Sequence, residues 1–132
     1  MGLDMFLTGV IQPNTKNLKT PDGDSVSRVE VELEVWRKHP NLHGYIVSKL
    51  GPKDADGKPI DDCNPINLSQ SDLLIIFGAI KNDMLPKTSG FFFGKSDGSE
   101  KQSDLVAFDK TIKWLNKSTP SERRSVYYQA SW

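Results

Sequence analysis

The sequence is poor in the residues on which several common classes of protein depend. It contains a single cysteine, Cys63, which excludes an internal disulfide and a multi-cysteine zinc site. Its 17 basic and 17 acidic residues balance to a formal net charge of zero, so the chain lacks the basic surface of a duplex-binding protein. No apolar run approaches the roughly 18 residues that span a bilayer. We therefore expect a soluble protein whose partner is neither duplex nucleic acid nor a membrane.

Motifs for catalysis and for metal or phosphate binding are incomplete. Residues 90–96 end in Gly-Lys-Ser, but a Walker A loop has four residues between its glycines, and only three phenylalanines stand here. His39 and His43 are four residues apart, yet the glutamate and the third ligand of a zinc protease motif are missing. No G-x-S-x-G nucleophile motif occurs. We predict no catalytic residue, no metal and no cofactor.

A period-two pattern predicts the clearest strand of the chain. The apolar residues Val29, Val31, Leu33 and Val35 alternate with glutamates up to Trp36. Such alternation predicts a strand with one buried and one wet face, and places Trp36 on the wet face. Further strands are predicted at residues 5–11, 66–68 and 123–132.

Three segments have the apolar spacing of helices. Pro40 suits a first helical turn, and an apolar stripe runs from there to Leu50. Ser69 begins a near capping box before a stripe that reaches Met84. Ser103 is predicted to cap the third helix.

The order of these elements indicates the fold class. No linker and no internal repeat divides the chain, so residues 1–132 are predicted to form a single domain. We predict an α+β fold: a small, mostly antiparallel sheet with about three helices packed on one face.

Aromatic and basic side chains near the predicted strand ends form a candidate ligand surface. Flat rings can stack on a base, and basic side chains can bind phosphates. Tyr127 and Tyr128 point to opposite faces of their strand, so one of them leaves the core. The same alternation separates Phe92 from Phe91 and Phe93, and which side is buried stays open. The predicted ligand-binding residues are Trp36, Arg37, Lys38, His39, His43, Ser89, Gly90, Phe92 and Tyr128.

Four segments together resemble a family of small, largely uncharacterised bacteriophage proteins. They are MGLDMF at the start, WRKHPNLHGYI at 36–46, LPKTSGFFFG at 85–94 and YYQASW at the end. The chain departs from the family pattern at Phe6 and Tyr45, and residues 12–27 form a longer insertion. The resemblance implies a phage origin and the cytoplasm of an infected bacterium, and it implies no established reaction.

The same resemblance implies a role against host defence, because small accessory phage proteins often have one. We expect a non-enzymatic protein that sequesters a nucleotide-derived immune signal, such as a cyclic dinucleotide or a cyclic ADP-ribose isomer. A homo-oligomer with ligand at its interface is expected. Two alternatives stay open: a protein-directed inhibitor of a host enzyme, and a small nucleotide hydrolase that uses Asp4, His39 and His43.

Overall fold

The fold is an antiparallel sheet with helices packed against it. The computed structural model describes residues 2–13, 28–89 and 94–132. Within these ranges, four strands lie in the order β2-β1-β4-β3, and every neighbouring pair is antiparallel. The predicted α+β class is confirmed. The elements are β1 (Asp4–Pro13), β2 (Val29–Arg37), α1 (Pro40–Leu50), β3 (Ile66–Leu68), α2 (Gln70–Lys81), α3 (Lys101–Leu115) and β4 (Glu122–Ser131).

One face of the sheet and the three described helices share a hydrophobic core. In the central strand pair, the buried residues Met5 and Leu7 lie opposite the buried residues Ala130 and Tyr128. Side chains from each helix complete the same cluster, so the helices pack on one face, as predicted. The helical core residues include Leu42, Ile46, Leu73, Ile76, Ile80 and Phe108.

A β-bulge reverses the predicted orientation at the end of β2. The pairing of β1 with β2 shifts register between Leu7 and Thr8. An extra residue in one strand moves every later side chain to the other face. Trp36 therefore lies opposite the buried Met5, while Val35 turns outward and is 37% exposed. The prediction that Trp36 occupies the wet face is wrong.

Helix α2 ends earlier than the apolar stripe predicts. Asp83 has a φ of 55°, the Met84 amide donates to the Ala79 carbonyl, and the Asp83 amide donates to the Ile80 carbonyl. This is the Schellman arrangement, in which a left-handed residue after the helix redirects the chain. Met84 consequently lies outside α2 and is 65% exposed.

The helix starts give one confirmed and one wrong prediction. Ser69 and Asp72 form a reciprocal capping box at the start of α2, as predicted. The N-cap of α3 is Glu100, not Ser103. The Ser103 hydroxyl lies inside the first turn and donates to the Glu100 carbonyl over 2.9 Å.

Gly9 is a position where the fold requires the absence of a side chain. A Cβ there would lie 2.5 Å from the Trp114 ring, which also contacts the Arg124 guanidinium at 4.8 Å. We expect Gly9→Ala to lower the free energy of unfolding by about 1–3 kcal/mol, because overpacking displaces the indole. Urea unfolding measures this.

Gly78 supplies the matched control for that measurement. It lies inside α2, and a Cβ there would meet nothing within 4 Å. Since alanine favours a helix interior by about 1 kcal/mol over glycine, Gly78→Ala should stabilise the protein. Equal stability of Gly9→Ala and the wild type would contradict the packing argument.

Candidate functional site

Two adjoining clefts lie where α1 begins, and both include Asn41 and Ser96. The first, here called the acidic cleft, has a volume of about 180 Å³. Its lining includes the carboxylates of Asp83, Glu100 and Asp104, together with Ile80, Leu85, His39 and Lys101. The second, here called the lysine cleft, has a volume of about 400 Å³. Its described lining is Asn41, Lys87, Thr88, Ser89, Gly94, Lys95 and Ser96.

His39 lies at the centre of a buried polar cluster beside the acidic cleft. It immediately precedes α1 and is only 4% exposed. Its Nε2 lies 2.6 Å from Asp104 Oδ2, and its Nδ1 lies 2.7 Å from Ser96 Oγ. Glu100 Oε2 lies 3.2 Å from the same Nδ1. Because an isolated buried charge is costly, such groups are stable in a core only when they are paired in this way.

Trp36 completes this cluster from the end of β2. Its Nε1 donates a 2.8 Å hydrogen bond to Asp104 Oδ1. Its ring stacks on Phe108, with centroids 5.7 Å apart and an angle of 21° between the planes. The bulge in β2 makes both contacts possible, because it turns the indole towards α3.

Two hydrogen bonds of Asn41 hold Thr88 and Ser96 against the start of α1. The Asn41 side-chain oxygen accepts from the Thr88 amide, and the Asn41 amide donates to Ser96 Oγ. Gly94 has a φ of 75°, and a Cβ there would lie 2.7 Å from the Lys38 Cβ. Glycine therefore permits the close approach of the two segments.

The turn that follows Ser96 is ordered by its own polar groups. Asp97 accepts hydrogen bonds from the Ser99 hydroxyl and amide, and these bonds lower the pKa of Asp97 to about 2. The Asp97 amide in turn donates to the Glu100 side chain. The turn thus connects Ser96 directly to the first residues of α3.

A second buried histidine belongs to a different cluster. His43 is 2% exposed, and its Nδ1 lies 2.6 Å from the Tyr128 hydroxyl. Its Nε2 lies 3.0 Å from the Asp61 carboxylate. Burial raises the pKa of Tyr128 above its ordinary range, and the charge of Asp61 adds to this effect. This cluster joins α1 to β4 and to the loop that carries Asp61.

The space beside the second cluster is too small for an organic ligand. The cavity lined by His43, Tyr128 and Trp132 has a volume of about 10 Å³, close to the minimum for one water molecule. The two histidines therefore do not share a site. In the part of the chain that the structure describes, no group of three or more His, Cys, Asp or Glu side chains could hold a metal ion.

Three predicted ligand-binding residues gather around the start of α1. Ser89 lines the lysine cleft, His39 lines the acidic cleft, and Lys38 lies against Gly94 between them. Arg37 is close to them in sequence but pairs with Asp4, to which its Nε donates over 3.0 Å.

The remaining predicted residues lie elsewhere. Tyr128 is 1% exposed and belongs to the core, so the prediction that it stacks on a ligand conflicts with its burial. Tyr127 is the tyrosine that leaves the core face, since its hydroxyl lies 3.5 Å from Glu30 on the opposite side of the sheet.

His43 is also away from the two clefts, because it is buried beside Tyr128. Gly90 and Phe92, with the open question about the three phenylalanines, lie outside the described residues.

The buried carboxylate that binds His39 was not predicted from the sequence. Asp104 and Thr111 are buried on the core face of α3, spaced around Phe108 at intervals of four and three residues. A carboxylate on the buried stripe of a helix needs a partner, and this signal was available in the sequence. The carboxylates bonded to His39 and His43 are thus Asp104 and Asp61, not the predicted Asp4.

Comparison with known proteins adds no family to this description. No protein-family model matches the chain, and neither curated proteins nor solved structures give a match. Among the described residues, no helix has the length and apolar character needed to cross a membrane. The fold and the site define a small α+β protein with two adjoining polar clefts at the start of α1.

Proposed function

We propose that the protein binds and sequesters a small anionic ligand of the nucleotide class at the start of α1. The lysine cleft is the observation that carries this proposal. Lys87 and Lys95 both line it, and neither makes a hydrogen bond or a salt bridge with any other residue in the described ranges. A lysine that no carboxylate neutralises attracts a phosphate as a point charge.

The size and the polar lining of the lysine cleft support the same class of ligand. Its volume of about 400 Å³ lies within the range of roughly 300–1,000 Å³ that is typical of small-molecule sites. Ser89, Asn41 and Ser96 place short polar side chains beside the two lysines. Such groups bind phosphate and ribose oxygens by directional hydrogen bonds.

The acidic cleft favours a different part of the ligand. The Glu100 carboxylate, which is partly exposed in this cleft, can accept hydrogen bonds from the amino groups that nucleobases carry on their edges. Ile80 and Leu85 provide apolar contacts in the same cleft. We therefore place the base in the acidic cleft and the phosphates in the lysine cleft, with Asn41 and Ser96 at the boundary.

The resemblance to phage proteins determines which nucleotides are tested first. We propose that the ligand is an immune signal, with cyclic dinucleotides and cyclic ADP-ribose isomers as the first candidates. A homo-oligomer belongs to this proposal. Leu74, Ile75 and Val106 support it, because each is about half exposed on the outer sides of α2 and α3. Light scattering after gel filtration measures the oligomeric state.

Removal of both cleft lysines should weaken binding of such a nucleotide. A charge-assisted hydrogen bond contributes about 1.5–3 kcal/mol, so we expect Lys87→Ala with Lys95→Ala to raise the dissociation constant at least about a hundredfold. Titration calorimetry with each candidate nucleotide measures this change.

Lys110→Ala is the control, because Lys110 is an exposed lysine on α3 outside both clefts. The control should bind as the wild type does. The proposal fails if no candidate nucleotide binds the wild type, or if the control loses as much affinity as the double variant.

A further inference from the structure

Ser96 is the hydroxyl group at the boundary of the two clefts, and its neighbours form a continuous hydrogen-bonded chain. Ser96 Oγ lies 2.7 Å from His39 Nδ1, and His39 Nε2 lies 2.6 Å from Asp104 Oδ2. Both distances fall within the range for proton transfer between a nucleophile, its base and the group that orients the base. The proposed nucleotide binding uses Ser96 only as a hydrogen-bonding group, and it requires no proton transfer along this chain of groups.

The hydrogen bonds of these atoms permit a proton arrangement that suits nucleophilic attack. The Asn41 amide donates to Ser96 Oγ, which leaves the hydroxyl proton of Ser96 available to His39 Nδ1. We assign to His39 the tautomer in which Nδ1 is unprotonated and Nε2 carries the proton that Asp104 accepts. This tautomer is the one that a general base for Ser96 requires.

The surroundings of His39 suit the imidazolium that forms when it takes the proton. Asp104 is 1% exposed, and the hydrogen bond from Trp36 holds its second oxygen. Glu100 Oε2 lies 3.2 Å from the nitrogen that would receive the proton. Two fixed carboxylates therefore flank the positive charge in a site where little water screens them.

We propose that Ser96 is an activated nucleophile that attacks carboxylic esters in the acidic cleft. Ser96 Oγ bonds to the carbonyl carbon while its proton moves to His39 Nδ1. The bond from that carbon to the alcohol oxygen breaks, and the alcohol leaves with the proton from His39. Water, deprotonated by His39, then attacks the acyl carbon. The bond from that carbon to Ser96 Oγ breaks, the carboxylic acid leaves, and Oγ takes back the proton from His39.

The charge of the acidic cleft indicates which esters it accepts. Lys101 pairs with Asp83 over 3.0 Å, which leaves Glu100 and Asp104 as the carboxylates of the acidic cleft that have no lysine or arginine partner among the described residues. These carboxylates repel an anionic acyl group and accept a neutral or cationic one. The substrates are therefore uncharged or positively charged esters small enough for a cleft of about 180 Å³.

An alkyl fluorophosphonate tests this proposal, because it reacts covalently with activated serines. We expect one label per chain, located at Ser96 by peptide mass spectrometry. His39→Gln should slow labelling at least about a hundredfold, since it removes the base. Ser71→Ala is the control, because Ser71 is an exposed serine on α2 that lines neither cleft; it should be labelled at the wild-type rate.

A second variant keeps the test decisive if His39→Gln does not fold. Ser96→Cys, made together with Cys63→Ser, retains His39 and Asp104 beside the nucleophile. Its thiol should react with iodoacetamide faster than Cys63 does in the wild type. No labelling of the folded wild type by the fluorophosphonate or by a small sulfonyl fluoride would overturn the proposal. Labelling that persists in Ser96→Ala would also overturn it. Neither result bears on nucleotide binding, which calorimetry measures separately.

Discussion

Asp104→Ala is expected to lower the free energy of unfolding by about 3–5 kcal/mol. Asp104 is 1% exposed, and its two carboxylate oxygens bind His39 and Trp36. Removal of the carboxylate leaves the buried imidazole and the indole N–H without their acceptor, and the loss of one partner from a buried pair has a cost of this size. A small domain has a total stability of only about 5–15 kcal/mol.

Urea unfolding followed by tryptophan fluorescence and circular dichroism measures this loss. Asp109→Ala is the matched control on the same helix. Asp109 pairs with Lys113 across one helical turn, and both side chains are at least half exposed. Such a pair contributes about 0.3–0.5 kcal/mol, so the control should remain close to the wild type. Equal effects of the two substitutions would show that the buried cluster does not stabilise the fold.

Tyr128→Ala should lower the free energy of unfolding by about 3–5 kcal/mol. The substitution removes a fully buried ring from the core, on the strand that pairs with both β1 and β3. Tyr128→Phe isolates the hydroxyl, which lies 2.6 Å from His43 Nδ1. An unsatisfied buried group costs about 1–3 kcal/mol, so we expect that smaller loss for the phenylalanine variant. Thermal and urea unfolding measure both.

Tyr127→Phe controls for the chemistry of the substitution. The Tyr127 hydroxyl makes one long contact of 3.5 Å with Glu30 near the surface. Its loss should change the free energy of unfolding by less than about 0.5 kcal/mol. If Tyr127→Phe and Tyr128→Phe had the same effect, the hydrogen bond to His43 would not be a stabilising interaction.

Alkaline pH provides a second measurement on Tyr128. Burial raises the pKa of this phenol, and Asp61 raises it further. Above pH about 10 a tyrosine in the unfolded chain loses its proton, while folded Tyr128 keeps it. Deprotonation therefore stabilises the unfolded state, and the free energy of unfolding falls by about 1.4 kcal/mol per pH unit because of this group. The difference in stability between the wild type and Tyr128→Phe should therefore shrink as the pH rises above 10. A difference that stays constant would contradict the raised pKa.

Most of the fold could be predicted because its elements depend on neighbours in the sequence. The capping box at Ser69 and the first turn at Pro40 involve residues only a few positions apart. The predicted end of α2 and the predicted start of α3 were wrong. Neither aspartate at the left-handed position after a helix nor glutamate at an N-cap is a strong sequence signal for a helix boundary.

The site was only partly predictable. The predicted surface combined residues 36–39 and His43 with Ser89, Gly90, Phe92 and Tyr128. Of these, the structure places His39 and Ser89 in the two clefts, which meet at Asn41 and Ser96. The individual partners were not predictable, because a periodic pattern shows which face of an element is buried but not what packs against it.

The sequence by itself determined the class of fold, the positions of most helices and strands, and the absence of a disulfide. Only the tertiary structure decided the face of Trp36 and the partner of His39. A bulge in β2 turned the indole to the core, and Asp104 reaches His39 across 65 positions of sequence. Local sequence patterns encode hydrogen bonds between neighbouring residues, whereas strand register and helix packing bring distant polar groups together. A charged side chain such as Asp104 can be buried only where packing supplies such a partner.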